Sequence, residues 1–316
     1  MGLPVTVYRW DDAGAPQLGA SPTPSEIIAV LKACLVTGYG AKAGLGWSVA
    51  FEDTGTQKIA FRNSTVDGSG GFVQYWSVDG SNAINRTLYV KSGSAMSALD
   101  NFTHPSLTFV HFNSENNSHW VIIGTSVGFY MIPKVDNITI NYTSSIGNEV
   151  TYFVGDIDSN YNNDMTRFTI CAQNFTSNMT SVNYSHSLAY GGVSGCGVMY
   201  GVDGNTKSIP YSANSSPISV QEANSNYTLE DQGINPVLLP VMIVSPSPST
   251  TDIDNLQCMF SGKNPYYRGV IPGLYALPFA GYGNATWPTV KNFGGKDCML
   301  LRGYFTTMWV NIVEWY

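Results

Sequence analysis

Residues 23–62, TPSEIIAVLKACLVTGYGAKAGLGWSVAFEDTGTQKIAFR, hold two hydrophobic periods side by side, and the switch between them decides the fold. The first period is helical. Thr23 can cap a helix, Pro24 suits its first turn, and Glu26 stands three residues on from the cap. Ile27, Ile28, Leu31, Cys34 and Leu35 then recur on one face, and Gly38 and Gly40 end the run. This predicts one helix over about residues 24–36. The second period is two. Trp47, Val49 and Phe51 alternate with small or polar residues, as do Ile59 and Phe61, which predicts two strands joined by a turn at Asp53–Gly55.

Outward from there, strand signals dominate. They fall at Phe72–Trp76, Leu88–Lys91, Leu107–His111, Trp120–Ile123 and Val127–Ile132, the last two reading as a hairpin across Gly124-Thr-Ser. A short helical turn is predicted at Met96–Leu99. Further strands are predicted at Val135–Tyr142, Val150–Val154, Arg167–Ala172, Gly197–Tyr200, Val237–Val244, Met299–Tyr304 and Met308–Glu314. Asp203–Gly233 is polar and loop-like, and SPSPSTT at Ser245–Thr251 reads as a connection. No heptad run or fixed-period repeat is present, so a trimeric fibre shaft is not expected. The expected fold is mainly β, in antiparallel sheets or a sandwich-like arrangement with one N-terminal helix and long loops. Its 316 residues divide either into β-rich lobes at 1–135 and 136–316 or form one continuous domain.

Composition narrows the function classes. Charged residues make up only 12 % of the chain, about half the usual share. Aromatic residues reach 13 %, with 19 Tyr, a balance that suits a surface partly covered by neighbours. Net charge is −7 and no cluster of Lys and Arg forms a basic stripe, so no nucleic-acid partner is expected. Cys34, Cys171, Cys196, Cys258 and Cys298 are far apart and odd in number, which predicts buried free thiols rather than a zinc site or a disulfide framework. The opening MGLPVTVYRWDD has no basic stretch followed by an apolar core, so no signal peptide is expected, and the loose myristoylation pattern at Gly2 and Thr6 is discounted. The longest apolar run, Pro236–Val244, is too short to span a bilayer, so no membrane is expected. The Asn-x-Ser/Thr triplets at Asn63, Asn101, Asn137, Asn141, Asn174 and Asn178 read as turn chemistry rather than glycan sites.

Constellations for catalysis are thin. GVSGC at Gly192–Cys196 starts like a nucleophile elbow but places Cys where a small residue is needed. Four histidines, His104, His111, His119 and His186, are the available bases. In GDIDSNYNNDM, the residues Asp156, Asp158, Asn160, Asn162 and Asp164 alternate like the start of a calcium loop. Tyr161 stands where such a loop needs Gly and Arg167 where it needs Glu, so a surface turn is the expectation. Trp10, Trp47, Tyr75, Trp76 and Trp120 could stack on sugars, although strand spacing favours core roles. The glycines at 38, 40, 44 and 46 follow the helix and lack a Gly-Lys-Ser/Thr, which excludes a phosphate loop. No catalytic, cofactor-binding or metal-ligating residue is assigned.

Four segments, in order, resemble a family of tailed-bacteriophage virion proteins. They are VYRWDDAGAPQL with AVLKACLVTGYGAKAGLGWSVAF (7–18 and 29–51), KIAFRN (58–63), LYVKSGSAMSALD through HWVIIGTSVGFYMI (88–132), and RGVIPGLYALPF (268–279). Gly155-Asp156 is similar to a mid-chain element of that family. Ser126 and Val127 stand where the family commonly has acidic and basic residues.

The resemblance implies a non-enzymatic structural part of the virion, in the tail, baseplate or neck, with no catalytic residues to carry over. Its expected partners are further copies of itself and other virion proteins. A capsid decoration or cement protein, a module that recognises a host-surface glycan, and a depolymerase remain as alternatives.

Overall fold

A computed structural model describes residues 2–111, 119–132, 150–172, 175, 177–179, 187–188, 198–205, 209–214, 227–233, 235–245, 248–258, 261–277, 279, 281–282, 285, 288–301 and 308–316. The protein is mainly β, 41 % strand against 8 % helix, and its paired strands are antiparallel.

The helix forms where its cap places it. It runs Pro24–Lys32, with the Thr23 side chain accepting from Glu26 N and the Glu26 carboxylate accepting from Thr23 N at 2.6 Å. Ala33–Thr37 then widen into one π turn, and Gly38 ends it at φ 76°. The predicted 24–36 thus covers an α-helix and its π extension. Ile27, Val30, Leu31, Cys34 and Leu35 are buried.

Three sheets stack. The first has the order Ser48–Asp53, Lys58–Arg62, Phe72–Ser77, Leu88–Gly93, Phe109–His111. The central sheet has Phe168–Cys171, Tyr152–Asp156, Gly128–Ile132, Val121–Gly124 and Thr6–Arg9. It therefore hydrogen-bonds strands from both sides of residue 135. The third has Ser212–Asn214, Leu239–Val244, Tyr267–Ala276, Met308–Asn311, Lys296–Leu300 and Val290–Phe293.

Side-chain alternation assigns the layers. Tyr8, Ile122, Met131, Tyr152, Val154 and Ile170 face the first sheet and the helix, joining Ile59, Phe61, Val73, Tyr75 and Val90 in one core. The residues between them, Val121, Ile123, Tyr130, Ile132, Phe153 and Cys171, face the third sheet and join Val241, Ile243, Ile271, Leu274 and Val310. Both faces of the central sheet are dry across four of its strands, and the edge strand Thr6–Arg9 is partly exposed. The chain passes from the central to the third sheet within three residues, because Asp156 ends one strand and Asp158 pairs with Val270 of the other.

One expectation needs correction. Met96–Leu99 is no helical turn: Ala95–Ala98 is a strand paired with Asn101–Thr103. Asp100 at φ 65° makes the turn, and Met96 and Phe102 close over Ala60 and Phe72 on the outer face of the first sheet. A ten-residue strand, Tyr267–Ala276, stands where no strand was among those expected, and it runs through Gly269, Pro272 and Gly273. A Cβ on Gly273 would lie 2.1 Å from Trp315 Nε1, so the glycine admits a neighbour instead of breaking the strand. Within the polar stretch 203–233, Leu229–Gln232 forms a short helix capped by Thr228. The strand predicted at Val135–Tyr142 lies outside the described residues.

Candidate functional site

The segments that carry the resemblance meet in space. Asp12, on the turn after the strand Thr6–Arg9, accepts at Oδ2 from Arg9 N (2.8 Å), Tyr39 OH (2.7 Å) and Lys42 Nζ (2.5 Å). Lys42 Nζ also donates to Val7 O at 2.7 Å, and Tyr8 OH donates to Ala43 O. Burial pulls the Asp12 carboxyl upward, but the hydrogen bonds from Lys42, Tyr39 and Arg9 outweigh it and hold it below its usual range. Burial raises Tyr8 to about 12. The glycines fit this junction by size. A Cβ on Gly40 would lie 2.3 Å from Ala13 O, and one on Gly44 2.4 Å from Val36 O. Asp12, Tyr39 and Lys42 hold one another in this junction. It is a fastening between the N-terminal strand and the helix.

The alternating acids of 156–164 separate instead of converging. Asp164 accepts a bidentate pair from Arg268, Nε to Oδ2 and Nη2 to Oδ1, both at 2.6 Å, and both side chains are fully buried. Arg268 also donates to Tyr200 O (2.8 Å), Thr166 Oγ1 (2.8 Å) and Tyr211 OH (3.2 Å). Asp156 accepts from Ser69 N (2.7 Å), Ser69 Oγ (2.5 Å) and Arg167 Nε (3.1 Å); burial outweighs these and raises its carboxyl. Among the described residues no three His, Cys, Asp or Glu side chains form a metal-holding group.

The aromatic candidates divide. Trp47, Tyr75 and Trp120 are core residues. Trp10 is half-buried and stacks on His119 with ring centroids 4.5 Å apart, and Trp76 meets Tyr89 edge-on at 5.6 Å. His111 is fully buried, with Nδ1 2.8 Å from Tyr152 OH, and burial lowers it to about 3, so it stays neutral. His104 stands 2.8 Å from Ser94 Oγ and beside the Tyr200 ring. Cys34, Cys171 and Cys298 are buried free thiols and Cys258 is half-buried. His186, Cys196 and the GVSGC stretch lie outside the described residues, as do Asn137, Asn141 and Asn174. No helix of the described residues is long and apolar enough to cross a membrane.

A concavity opens where the chain leaves the central sheet. This cleft of about 400 Å³ is lined by Leu3, Asp67, Val127, Asp156–Ser159, Arg167 and Tyr316. A second, of about 640 Å³, adjoins it along Leu3–Thr6 and the 41–45 loop, sharing Leu3 and Asp67. Its walls are tied. Ser69 on Asp156 anchors the 64–71 loop, Ser126 Oγ donates to Asp67 Oδ2 at 2.7 Å, and Tyr316 OH donates to Asp156 O at 2.6 Å. Surrounding protein desolvates Asp158 and raises its carboxyl. Of these residues the sequence singled out Asp156 and Asp158. Arg167 entered the sequence reading only as a residue that breaks the calcium-loop pattern, and Asp67 and Tyr316 gave no signal, because only the fold brings them within reach.

The fold and site define a three-sheet β protein whose motif residues serve as internal fastenings. Compared with known proteins, the chain matches no family model and no curated sequence.

Proposed function

We propose that the protein is a non-enzymatic structural component of a tailed-phage virion, assembling with itself and with other virion proteins in the tail, baseplate or neck. One observation carries the reading. Five polar residues of the segments that resemble the phage family, Asp12, Tyr39, Lys42, Asp156 and Arg268, are bound to one another or to residues of neighbouring loops. Such residues give a rigid subunit, and rigidity lowers the cost of repeating a contact around a symmetry axis. Ile253, Leu256 and Tyr266 are 57, 65 and 63 % exposed, which offers apolar area for association to bury.

The test is quantitative mass spectrometry and cryo-EM of gradient-purified particles of the phage that encodes the chain. A fixed copy number matching a ring of the tail, baseplate or neck is expected. Recovery only in the soluble fraction would refute the proposal, and density on the capsid shell would replace the tail address with a decoration role.

A further inference from the structure

The cleft beside Tyr316 has polar groups that the internal fastenings leave free. Asp158 has no hydrogen-bond partner for its carboxylate among the described residues. Among the described residues the Asp67 carboxylate engages only Oδ2, with Ser64 and Ser126, leaving Oδ1 open. Among the described residues Arg167 engages only Nε, with Asp156, leaving both terminal guanidinium nitrogens open. These groups line one concavity with Tyr316, and the ties through Ser69, Ser126 and Tyr316 OH fix its walls before any ligand arrives.

The chemistry of the free groups selects the occupant. Two carboxylates require hydrogen-bond donors, and a guanidinium requires acceptors within the same small volume. A hydroxyl supplies both roles in one atom. Phosphate, or an acidic sugar, would satisfy Arg167 but would place negative charge beside Asp67 and Asp158. An alkylammonium would satisfy the carboxylates and leave Arg167 without an acceptor. The adjoining concavity, which shares Leu3 and Asp67, extends the space along the N-terminal strand, so the occupant is elongated. We propose that this cleft binds a neutral oligosaccharide, whose hydroxyls donate to Asp158 and Asp67 and accept from Arg167.

The test uses the full chain on an array of neutral oligosaccharides of glucose, galactose, rhamnose and N-acetylhexosamine, beside sialylated and uronic-acid glycans. The strongest neutral binder is then titrated by calorimetry. Asp158→Asn and Asp67→Asn change exposed side chains, so both variants should keep the melting temperature of the parent, and each should weaken binding roughly tenfold or more. Binding only to acidic glycans, or neutral binding unchanged in both variants, would overturn the proposal. So would an array with no neutral binder, a result that leaves the structural role in the virion standing. Calcium alone is the remaining probe: stabilisation by calcium that is lost in Asp158→Asn, with no glycan binding, would make the cleft a cation site and overturn the sugar assignment.

Discussion

Replacing Arg268 by Met should be among the most damaging single changes in the molecule. Arg268 is completely buried and makes five hydrogen bonds, two of them to Asp164 at 2.6 Å. Methionine fills much of the same volume but offers no donor. Asp164, itself fully buried at the side chain, would keep only Ser159 Oγ at 2.8 Å and Thr166 N at 3.1 Å. Breaking a buried pair from one side costs about 3–5 kcal/mol, because the remaining charge stays desolvated. The pair itself is worth far less than that. Replacing both members, as Arg268→Met with Asp164→Leu, should therefore recover at least half of the loss. Urea titrations followed by tryptophan fluorescence compare both variants with the parent. A single-variant loss below about 1 kcal/mol would refute the reasoning, as would a double variant no better than the single.

Other outcomes follow from the same structure. Asp12 has a folded-state pKa below its unfolded value, so its contribution is complete above about pH 4 and disappears as pH falls through the folded value; Asp12→Asn should flatten acid unfolding in that window. His111 behaves as a buried base lowered to about 3, so the unfolded chain takes up its proton first and stability falls as pH drops from about 6.5 towards 3. His111→Phe should remove up to about 1.4 kcal/mol per pH unit of that slope, measured by denaturation at successive pH values. Gly40→Ala, at φ 55° and with its Cβ 2.3 Å from Ala13 O, should cost about 2 kcal/mol or more by thermal melting. Ile253→Ser with Leu256→Ser should leave the melting temperature unchanged and reduce concentration-dependent association in sedimentation velocity.

Much of the secondary structure was legible because its signals are local. Thr23, Pro24 and Glu26 mark a helix start within four residues, and the hairpin of Ser48–Asp53 with Lys58–Arg62 forms as read, although a bulge after Val49 turns Phe51 to the outer face, away from Trp47 and Val49. Pairing was not legible. Thr6–Arg9 joins Val121–Gly124, more than a hundred residues away, and nothing in either segment names the other. The strand Tyr267–Ala276 was hidden because its glycines answer to Trp315 and Asp158, neighbours that exist only after folding. The cleft was hidden for the same reason: Leu3, Asp67, Arg167 and Tyr316 share no sequence spacing. The alternating acids at 156–164 were visible and misleading, since Asp156 and Asp164 are each engaged by a different arginine.

Strands with no face to water have lost the usual guard on their alignment. In a half-exposed sheet, a slip of one residue drives apolar side chains into solvent, and the penalty enforces the correct pairing. Here a slip would exchange Ile122 and Met131 for Val121 and Ile132, trading one oily row for another. Shape has to do the proofreading. Gly128 pairs with Gly155 so closely that a Cβ on Gly155 would stand 2.3 Å from Gly128 Cα, and a shifted strand would bring a side chain to that spot. Tyr130 OH, donating to Pro272 O at 2.6 Å, and Trp47 Nε1, donating to Thr125 O at 3.1 Å, check the same alignment from the layers above and below. Two bare glycines and two aromatic donors thus specify the order of the most hydrophobic part of the chain.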